Sequence, residues 1–189
     1  KKYFNSLIKG DKIKIIPNPV IHRNKELPEK EKIILTVGRC DKNKNQSQIL
    51  HAFSKIDTSW KLILCGDGPL LSDLKNLAIS LNISDRVEFT GNIKNISEYY
   101  RKASIFVFSS LSEGFPNVLL EAMSFGCACI STDCNFGPKE IIKNEKNGYL
   151  VPMHNIESMA HHLEVLINDS KIRNKIQLES MNVIERYSL

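Results

Sequence analysis

Residues 105–131 read IFVFSSLSEGFPNVLLEAMSFGCACIS and contain a predicted strand, loop, helix and second strand. Residues 105–108 and 127–131 are short apolar runs with the length and composition of buried strands. Pro116 suits the first position of the helix between them, and Gly126 is placed to end that helix. A strand that returns through a helix to a second strand predicts a parallel βαβ unit.

The same alternation of short apolar runs and longer amphipathic segments extends through most of the chain. Further strands are predicted at residues 33–37, 61–65, 87–89 and 148–151, and further helices at residues 46–56, 70–81, 96–102, 156–167 and 171–186. This order predicts an α/β fold, a Rossmann-like parallel β-sheet flanked by helices on both faces. Residues 21–189 are expected to form this domain. Residues 1–20, which include Pro17-Asn18-Pro19, are expected to form a stiff linker or hinge before it.

Length and charge limit the classes of protein to consider. The 189 residues are 42% hydrophobic, which suffices for one substantial core. The 26 Lys+Arg against 21 Asp+Glu give a net charge of +5. These basic residues are spread along the chain without a nucleic-acid-binding signature, so no nucleic acid partner is expected. The charge alone does not choose between a solvated surface, an anionic membrane and a nucleotide diphosphate.

Cysteine usage and hydropathy indicate the compartment. The chain has five cysteines, an odd number, and most lie in or beside apolar runs, where a free thiol behaves as a small hydrophobe. Cys127, Cys129 and Cys134 form no C-x-x-C pair, and the nearest downstream histidine, His154, is distant in sequence, which argues against zinc. No stretch approaches the ~18 apolar residues of a membrane span. We expect a cytoplasmic protein whose Lys-rich surface is compatible with peripheral attachment to the inner face of the cytoplasmic membrane.

Candidate binding residues lie where predicted strands end and helices begin, the rim at which open parallel sheets bind ligands. Within residues 112–123, Gly114 would let the backbone approach a ligand closely. A helix start offers free N–H groups and partial positive charge to phosphate. The amides of Asn117, Val118 and Leu119 are therefore predicted to point toward an anion.

Two carboxylates bracket that helix start, Glu113 in the loop before it and Glu121 in its second turn. Carboxylates accept strong hydrogen bonds from sugar hydroxyls, so the two side chains are candidates to bind two hydroxylated groups. Taken alone, the commoner interpretation is structural, with Glu113 a surface charge of the loop and Glu121 paired with a nearby lysine. Arg39 and Lys44 are likewise compatible with solvated charges at a strand end.

A family resemblance is carried by residues 112–123, SEGFPNVLLEAM. They resemble the signature of the retaining glycosyltransferases built from two facing Rossmann domains, the GT-B architecture of the group 1, family 4-like enzymes. Other stretches match the family in the same order, namely residues 16–20, residues 37–39 with Lys44, residues 65–69 and residues 87–91. The resemblance extends from about residue 13 to the end and implies the C-terminal, donor-binding half of a GT-B fold.

The resemblance implies a role for each matched residue. Arg39 and Lys44 would hold the donor diphosphate and neutralise the charge that builds on it during reaction. Glu121 would take the ribose hydroxyls, and Glu113 the hydroxyls of the donor sugar. The implied set is Glu113, Arg39 and Lys44 as catalytic residues; Gly114, Phe115, Pro116, Asn117, Val118, Leu119, Gly66 and Gly68 at the donor sugar and phosphate; and Glu121, Gly91 and Ile93 at the ribose and base.

The implied reaction is transfer of a hexose or N-acetylhexosamine from a nucleotide sugar, with UDP the expected nucleotide, and with retention of anomeric configuration. No metal or other cofactor is expected, because the chain has no Asp-x-Asp motif and the basic pair supplies positive charge. A glycan or lipid-linked acceptor would bind an N-terminal domain absent from this chain, so the chain alone is expected to be inactive. Residues 131–134 and 137–140 resemble bacterial enzymes of capsule and lipopolysaccharide O-antigen biosynthesis.

The sequence leaves other functions open. A non-catalytic nucleotide-sugar-binding module, a GT-B-type epimerase and a phosphorylase share the same architecture, and fold alone does not separate them. A dinucleotide oxidoreductase is disfavoured, because Gly66-Asp67-Gly68 is followed by Leu71 where the phosphate-binding motif needs its third glycine.

Overall fold

The computed structural model describes residues 26–135 and 137–187. The predicted linker at residues 1–20 lies outside these residues, so its boundary with the domain stays a prediction. The strands are β1 (Glu31–Val37), β2 (Lys61–Cys65), β3 (Val87–Gly91), β4 (Ala103–Phe108), β5 (Ala128–Thr132) and β6 (Tyr149–Val151). The helices are α1 (Gln46–Ser54), α2 (Leu71–Ser80), α3 (Ile96–Lys102), α4 (Asn117–Ser124), α5 (Pro138–Ile141), α6 (Ile156–Asn168), α7 (Ser170–Ser180) and α8 (Val183–Tyr187).

The strands form one sheet in the order β3-β2-β1-β4-β5-β6, and every neighbouring pair is parallel. Successive side chains along a strand point to opposite faces, and the core follows this period. In β1, Ile34 packs in the cluster on one face with Leu62 and Ile105, whereas Leu35 packs in the cluster on the other face with Phe106. Both faces are therefore covered by helices, and the predicted α/β architecture is confirmed.

The order of the strands reverses between β1 and β4. From β1 the chain adds strands on one side as far as β3, then crosses to β4 and adds strands on the other side. Helices that leave neighbouring strands at such a switch point lie on opposite faces and open a crevice at the carboxyl ends of the strands. Residues 38–45 after β1 and residues 109–116 after β4 meet at this crevice.

Local sequence accounts for the end of α4. Gly126 has φ +72°, the left-handed conformation that favours glycine, and its amide donates to the Met123 carbonyl at 2.9 Å. The Cys127 amide donates to the Ala122 carbonyl at 3.0 Å. These two bonds are those of a Schellman motif, which satisfies carbonyls that the helix end leaves free. The predicted helix stop at Gly126 is confirmed.

The Lys30 ammonium bridges the C-terminal ends of helices α3 and α4. Its Nζ donates to the Tyr100 carbonyl in α3 at 3.0 Å and to the Phe125 carbonyl at the end of α4 at 2.8 Å. Burial lowers the pKa of the Lys30 ammonium, and the adjacent Cys127 thiol opposes this effect. The cation thus sits where the dipoles of two helix C-termini are negative.

The prediction of one continuous helix over residues 171–186 is wrong. The structure breaks it at residues 181–182 into α7 and α8. The turn redirects the chain so that Val183 and Ile184 are buried in the core beside α4, which a straight continuation of α7 would not achieve. The short helix α5 was not predicted, because four residues carry too little periodicity to recognise.

Candidate functional site

An ion pair between Lys44 and Glu113 lies at the switch point of the sheet. Lys44 Nζ is 2.5 Å from Glu113 Oε1, and the two side chains are only 23% and 13% exposed. The same Nζ lies 5.4 Å from the centre of the Phe108 ring at the end of β4. Two predicted site residues that are far apart in sequence therefore meet in a partly desolvated position, where a charged pair interacts more strongly than on an open surface.

Backbone contacts hold the two loops of this pair in register. The Leu111 amide donates to the Asn43 carbonyl at 2.8 Å, and the Asn43 side-chain amide donates to the Ser112 carbonyl at 2.9 Å. Asn45 ends the first loop with φ 49°, a left-handed conformation that asparagine tolerates better than most residues. The loop geometry thus fixes both partners of the ion pair before any ligand binds.

A cleft of about 510 Å³ lies beside the ion pair, at the carboxyl ends of β1 and β2. Its lining consists of Val37, Gly38, Arg39, Cys65, Gly66, Asp67, Asn92, Ile93, Ile96, Tyr100, Val118 and Glu121. Five predicted site residues are in this lining, namely Arg39, Gly66, Ile93, Val118 and Glu121. The cleft has the size and mixed polar and apolar walls of a small-molecule site.

The other predicted site residues lie outside that lining. Lys44, Glu113, Gly68, Gly91, Gly114, Phe115, Pro116, Asn117 and Leu119 are not part of it. Several of them belong to the loop and helix start next to the cleft, where the ion pair is. The site therefore has two neighbouring parts. One is the cleft, and the other is a charged corner formed by Lys44, Glu113 and the loop that carries Glu113.

Arg39 and Lys44 differ in how they are held. The Arg39 side chain is 71% exposed, and its contact with Asp41 is 3.9 Å long, so it is free to move over the cleft. Lys44 is fixed by Glu113. The pair that the resemblance implies therefore consists of one fixed and one adjustable cation.

The predicted geometry of the α4 start needs correction. Pro116 is the residue before the helix, with φ −82° and ψ 83°, and the first helical residue is Asn117. The Asn117 amide donates to the Phe115 carbonyl and the Leu119 amide to the Pro116 carbonyl, so neither points outward toward an anion. Tight local turns satisfy these donors. Among the described residues the Val118 amide has no acceptor, and Val118 does line the cleft.

The glycines near the cleft serve different purposes. A Cβ on Gly66 would lie 2.0 Å from the Gly38 carbonyl oxygen, and one on Gly68 would lie 2.5 Å from the Cys40 carbonyl oxygen. Both glycines thus let the loop after β2 pack against the loop after β1. A Cβ on Gly114 would meet nothing within 4 Å, so the protein itself does not require glycine there. The open space at Gly114 is available to a ligand.

The loop after β3 closes the far end of the cleft. Gly91 has φ +68°, and its carbonyl accepts a hydrogen bond of 2.8 Å from the Gly66 amide. This turn directs Asn92 and Ile93 into the cleft lining. Ile93 therefore lines the cleft, and Gly91 forms the turn that positions it.

Glu121 and Tyr100 lie together on one wall of the cleft. Burial raises the pKa of Glu121, and the neighbouring Tyr100 hydroxyl has the smaller, opposite effect. The Glu121 side chain is nevertheless open to solvent along the cleft, so this desolvation is partial. The sequence prediction did not assign Tyr100, Asp67 or Asn92 to the site. Asp67 and Asn92 lie in loops that follow predicted strands, whereas nothing in the local pattern marks Tyr100 as a cleft residue.

Neither the cysteines nor any cluster of metal-ligand side chains forms a second site in the part of the chain that the structure describes. All five cysteines are buried, and none of them forms a disulfide. Within residues 26–135 and 137–187, no group of three or more His, Cys, Asp or Glu side chains is arranged to hold a metal ion. No helix in the same residues is both long and apolar enough to span a membrane.

The strand order and the cleft at the switch point define an α/β domain of the Rossmann type. Residues 18–180 match the family model described as Glycosyl transferases group 1, and the chain belongs to that family. The family resemblance predicted from residues 112–123 is thereby confirmed.

Individual relatives agree with this assignment. A Campylobacter jejuni N-acetylgalactosamine-N,N'-diacetylbacillosaminyl-diphospho-undecaprenol 4-alpha-N-acetylgalactosaminyltransferase is 37% identical over 144 residues, which cover 76% of this chain and 40% of that protein. The chain spans between 40% and 50% of the length of this relative and of two other curated relatives.

Solved structures share the fold. The C-terminal domain of a glycosyl transferase group 1 family protein, LpcC from Francisella tularensis, has a TM-score of 0.77 and 28% identity, covering 92% of this chain and 97% of that domain. S. aureus TarM, in a complex that includes UDP, has a TM-score of 0.90 at 24% identity, covering 99% of this chain and 39% of that chain. The TarM likeness shows the fold.

Proposed function

We propose that the chain is the donor-binding domain of a retaining, metal-independent glycosyltransferase. The two-domain enzyme transfers a hexose or N-acetylhexosamine from a UDP-sugar to a glycan or lipid-linked acceptor during assembly of bacterial surface polysaccharide. The observation that carries this proposal is the partly buried pair of Lys44 and Glu113, held beside a cleft that contains Glu121.

The two parts of the site suit the two parts of a nucleotide sugar. The cleft takes the nucleoside, with the base against Asn92 and Ile93 and the ribose hydroxyls on the Glu121 carboxylate. The charged corner takes the diphosphate and sugar. There Lys44 and Arg39 supply positive charge to the phosphates, and Glu113 accepts hydrogen bonds from the sugar.

The basic residues also serve the chemistry. The bond between the anomeric carbon and the phosphate oxygen breaks, and a bond to the acceptor oxygen forms on the same face of the sugar. The acceptor proton passes to the departing diphosphate. Negative charge that develops on this leaving group is stabilised by Lys44, already fixed in place, and by Arg39, which closes over it. This fixed positive charge does the work for which other transferases use a metal ion.

The acceptor belongs to a second domain in this proposal. The relatives are about twice as long as this chain, and a similar domain from Francisella has been solved as a C-terminal unit. The name of the Campylobacter relative includes a diphospho-undecaprenol, which favours a lipid-linked acceptor. The net charge of +5 is compatible with peripheral attachment to an anionic inner leaflet. Vesicle binding that is indifferent to anionic lipid would contradict that attachment.

Calorimetric titration of this chain with UDP, GDP, ADP and NAD tests the proposal. We expect UDP to bind most tightly, with an affinity unchanged by EDTA. Lys44→Met should weaken UDP binding, whereas Lys42→Met, which removes an exposed charge of the same loop, should not. Preference for another nucleotide would change the donor, loss of binding in EDTA would contradict metal independence, and binding of NAD alone would refute the assignment. Binding without transfer by the two-domain protein would instead support a non-catalytic module or an epimerase.

A further inference from the structure

Tyr100 has a buried hydroxyl group without a hydrogen-bond partner. The residue is 1% exposed, and its hydroxyl oxygen meets no donor or acceptor among the described residues at hydrogen-bonding distance and angle. A buried hydroxyl that lacks a partner is unfavourable for folding, and such groups are rare in folded proteins. Since a phenylalanine would pack in the same space, the hydroxyl calls for an explanation outside the unliganded fold.

The ring of Tyr100 is fixed. It stacks on Phe125 with ring centres 5.8 Å apart and lies 5.9 Å from the Phe106 ring. Its backbone carbonyl accepts hydrogen bonds from Lys30 and from the Cys127 thiol. Because the ring is held in this way, the Tyr100 hydroxyl cannot move to another hydrogen-bond partner. Any partner therefore has to move to the hydroxyl.

Glu121 is the group that can move to the Tyr100 hydroxyl. It lies four residues before Phe125 and therefore on the same side of α4 as the ring on which Tyr100 stacks. The two groups are close enough for the hydroxyl to favour the ionised carboxylate, but the contact does not reach the geometry of a hydrogen bond. Both residues line the cleft, and the Glu121 side chain is exposed there and free to adjust.

We propose that Tyr100 is a positioning residue for Glu121, which donates its hydrogen bond to the carboxylate when a ribose diol binds and so sets the preference for ribose over sugars that lack those hydroxyls. The inference rests on the proposed function, because it takes Glu121 as the ribose-binding group. In the occupied site one carboxylate accepts from the ligand on the cleft side and from Tyr100 on the protein side. Hydrogen bonds to a charged acceptor are strong and directional, which fixes the carboxylate for the diol.

The test compares UDP with 2′,3′-dideoxy-UDP in the wild-type chain and in Tyr100→Phe. The phenylalanine keeps the ring contacts and removes only the hydroxyl. We expect the variant to bind UDP about tenfold more weakly, the scale of one hydrogen bond to a charged group, and to bind the dideoxy ligand as the wild type does. Its resistance to urea should be equal or greater, because an unpaired buried hydroxyl is gone. A role in packing alone would lower stability and would not distinguish the two ligands.

Matched variants complete the experiment. Tyr99→Phe removes the hydroxyl of the neighbouring, partly buried tyrosine outside the cleft lining and should change neither ligand's affinity. In a Glu121→Gln background, Tyr100→Phe should no longer alter UDP affinity, because the charged acceptor is missing. Equal effects of Tyr100→Phe on both ligands, or no effect on either, would overturn this inference while leaving nucleotide binding intact. A wild-type chain that binds neither ligand would overturn the proposed function as well.

Discussion

Replacement of Gly66 by alanine should destabilise the domain strongly. The added Cβ would lie 2.0 Å from the Gly38 carbonyl oxygen, whereas C···O contacts ordinarily begin near ~3.3 Å. The loop after β1 would have to move by roughly 1 Å, and overpacking of this kind costs about 1–3 kcal/mol. At φ +143° a side chain adds backbone strain of similar size, so the sum is about 2–6 kcal/mol.

Urea unfolding followed by circular dichroism measures this cost directly. Thermal unfolding gives a second readout. In a domain of this size each kcal/mol lowers the melting temperature by roughly 2–4 °C, so a fall of about 5–20 °C is expected. Any molecules that remain folded should also bind nucleotide more weakly, since displacement of the Gly38 carbonyl moves the neighbouring Arg39 in the cleft.

Gly114→Ala is the matched control. Its Cβ would enter open space, and its backbone is not left-handed, so stability should change by no more than about 0.5 kcal/mol. Binding of the sugar part of the donor should nevertheless suffer if that space belongs to the ligand. A Gly66→Ala variant that unfolds at the same urea concentration as wild type and Gly114→Ala would refute the argument that loop packing requires this glycine.

Other variants probe charge and burial. Lys30→Met removes the ammonium that donates to two helix-end carbonyls and should lower the free energy of unfolding by about 1–3 kcal/mol, whereas Lys32→Met, at an exposed neighbour, should have little effect in the same urea titration. Burial raises the folded-state pKa of Glu121, so its charge opposes folding above that pKa; Glu121→Gln should stabilise the unliganded chain at pH 7, and the gain should disappear as the pH falls through the raised pKa toward the unfolded value of about 4.3. Cys127 and Cys129 are fully buried with raised thiol pKa values, so a thiol-reactive dye should label them only after unfolding; rapid labelling in native buffer would contradict the described core.

Much of the fold could be predicted because it depends on local patterns. Apolar runs of strand length marked β1 to β6 within a few residues, since side chains that alternate between two buried faces leave little choice of residue type. The glycine that ends α4 was also recognisable, because its left-handed conformation excludes most other residues. Where the local signal was weak the prediction was wrong, as at the break between α7 and α8.

The candidate site was predictable only in part. The resemblance pointed to Lys44, Glu113 and Glu121, and the structure places all of them at or beside the switch point. Their roles in binding stay predictions. Tyr100 could not be found in this way, because its hydroxyl becomes notable only once burial removes its access to water. The expectation that Asn117 and Leu119 would face an anion was wrong, because tight turns at the helix start use their amides.

The sequence by itself determined the six strands and most of the helices, where α4 ends, and to which family of transferases the chain belongs. Only the tertiary structure decided that β1 pairs with β4, that Lys44 meets Glu113, and that the loop after β1 packs directly against Gly66. The physical reason is the range of the interactions. Helix stops and strand runs arise among residues close in sequence, whereas strand order and contacts between loops arise from packing the whole sheet between its helices.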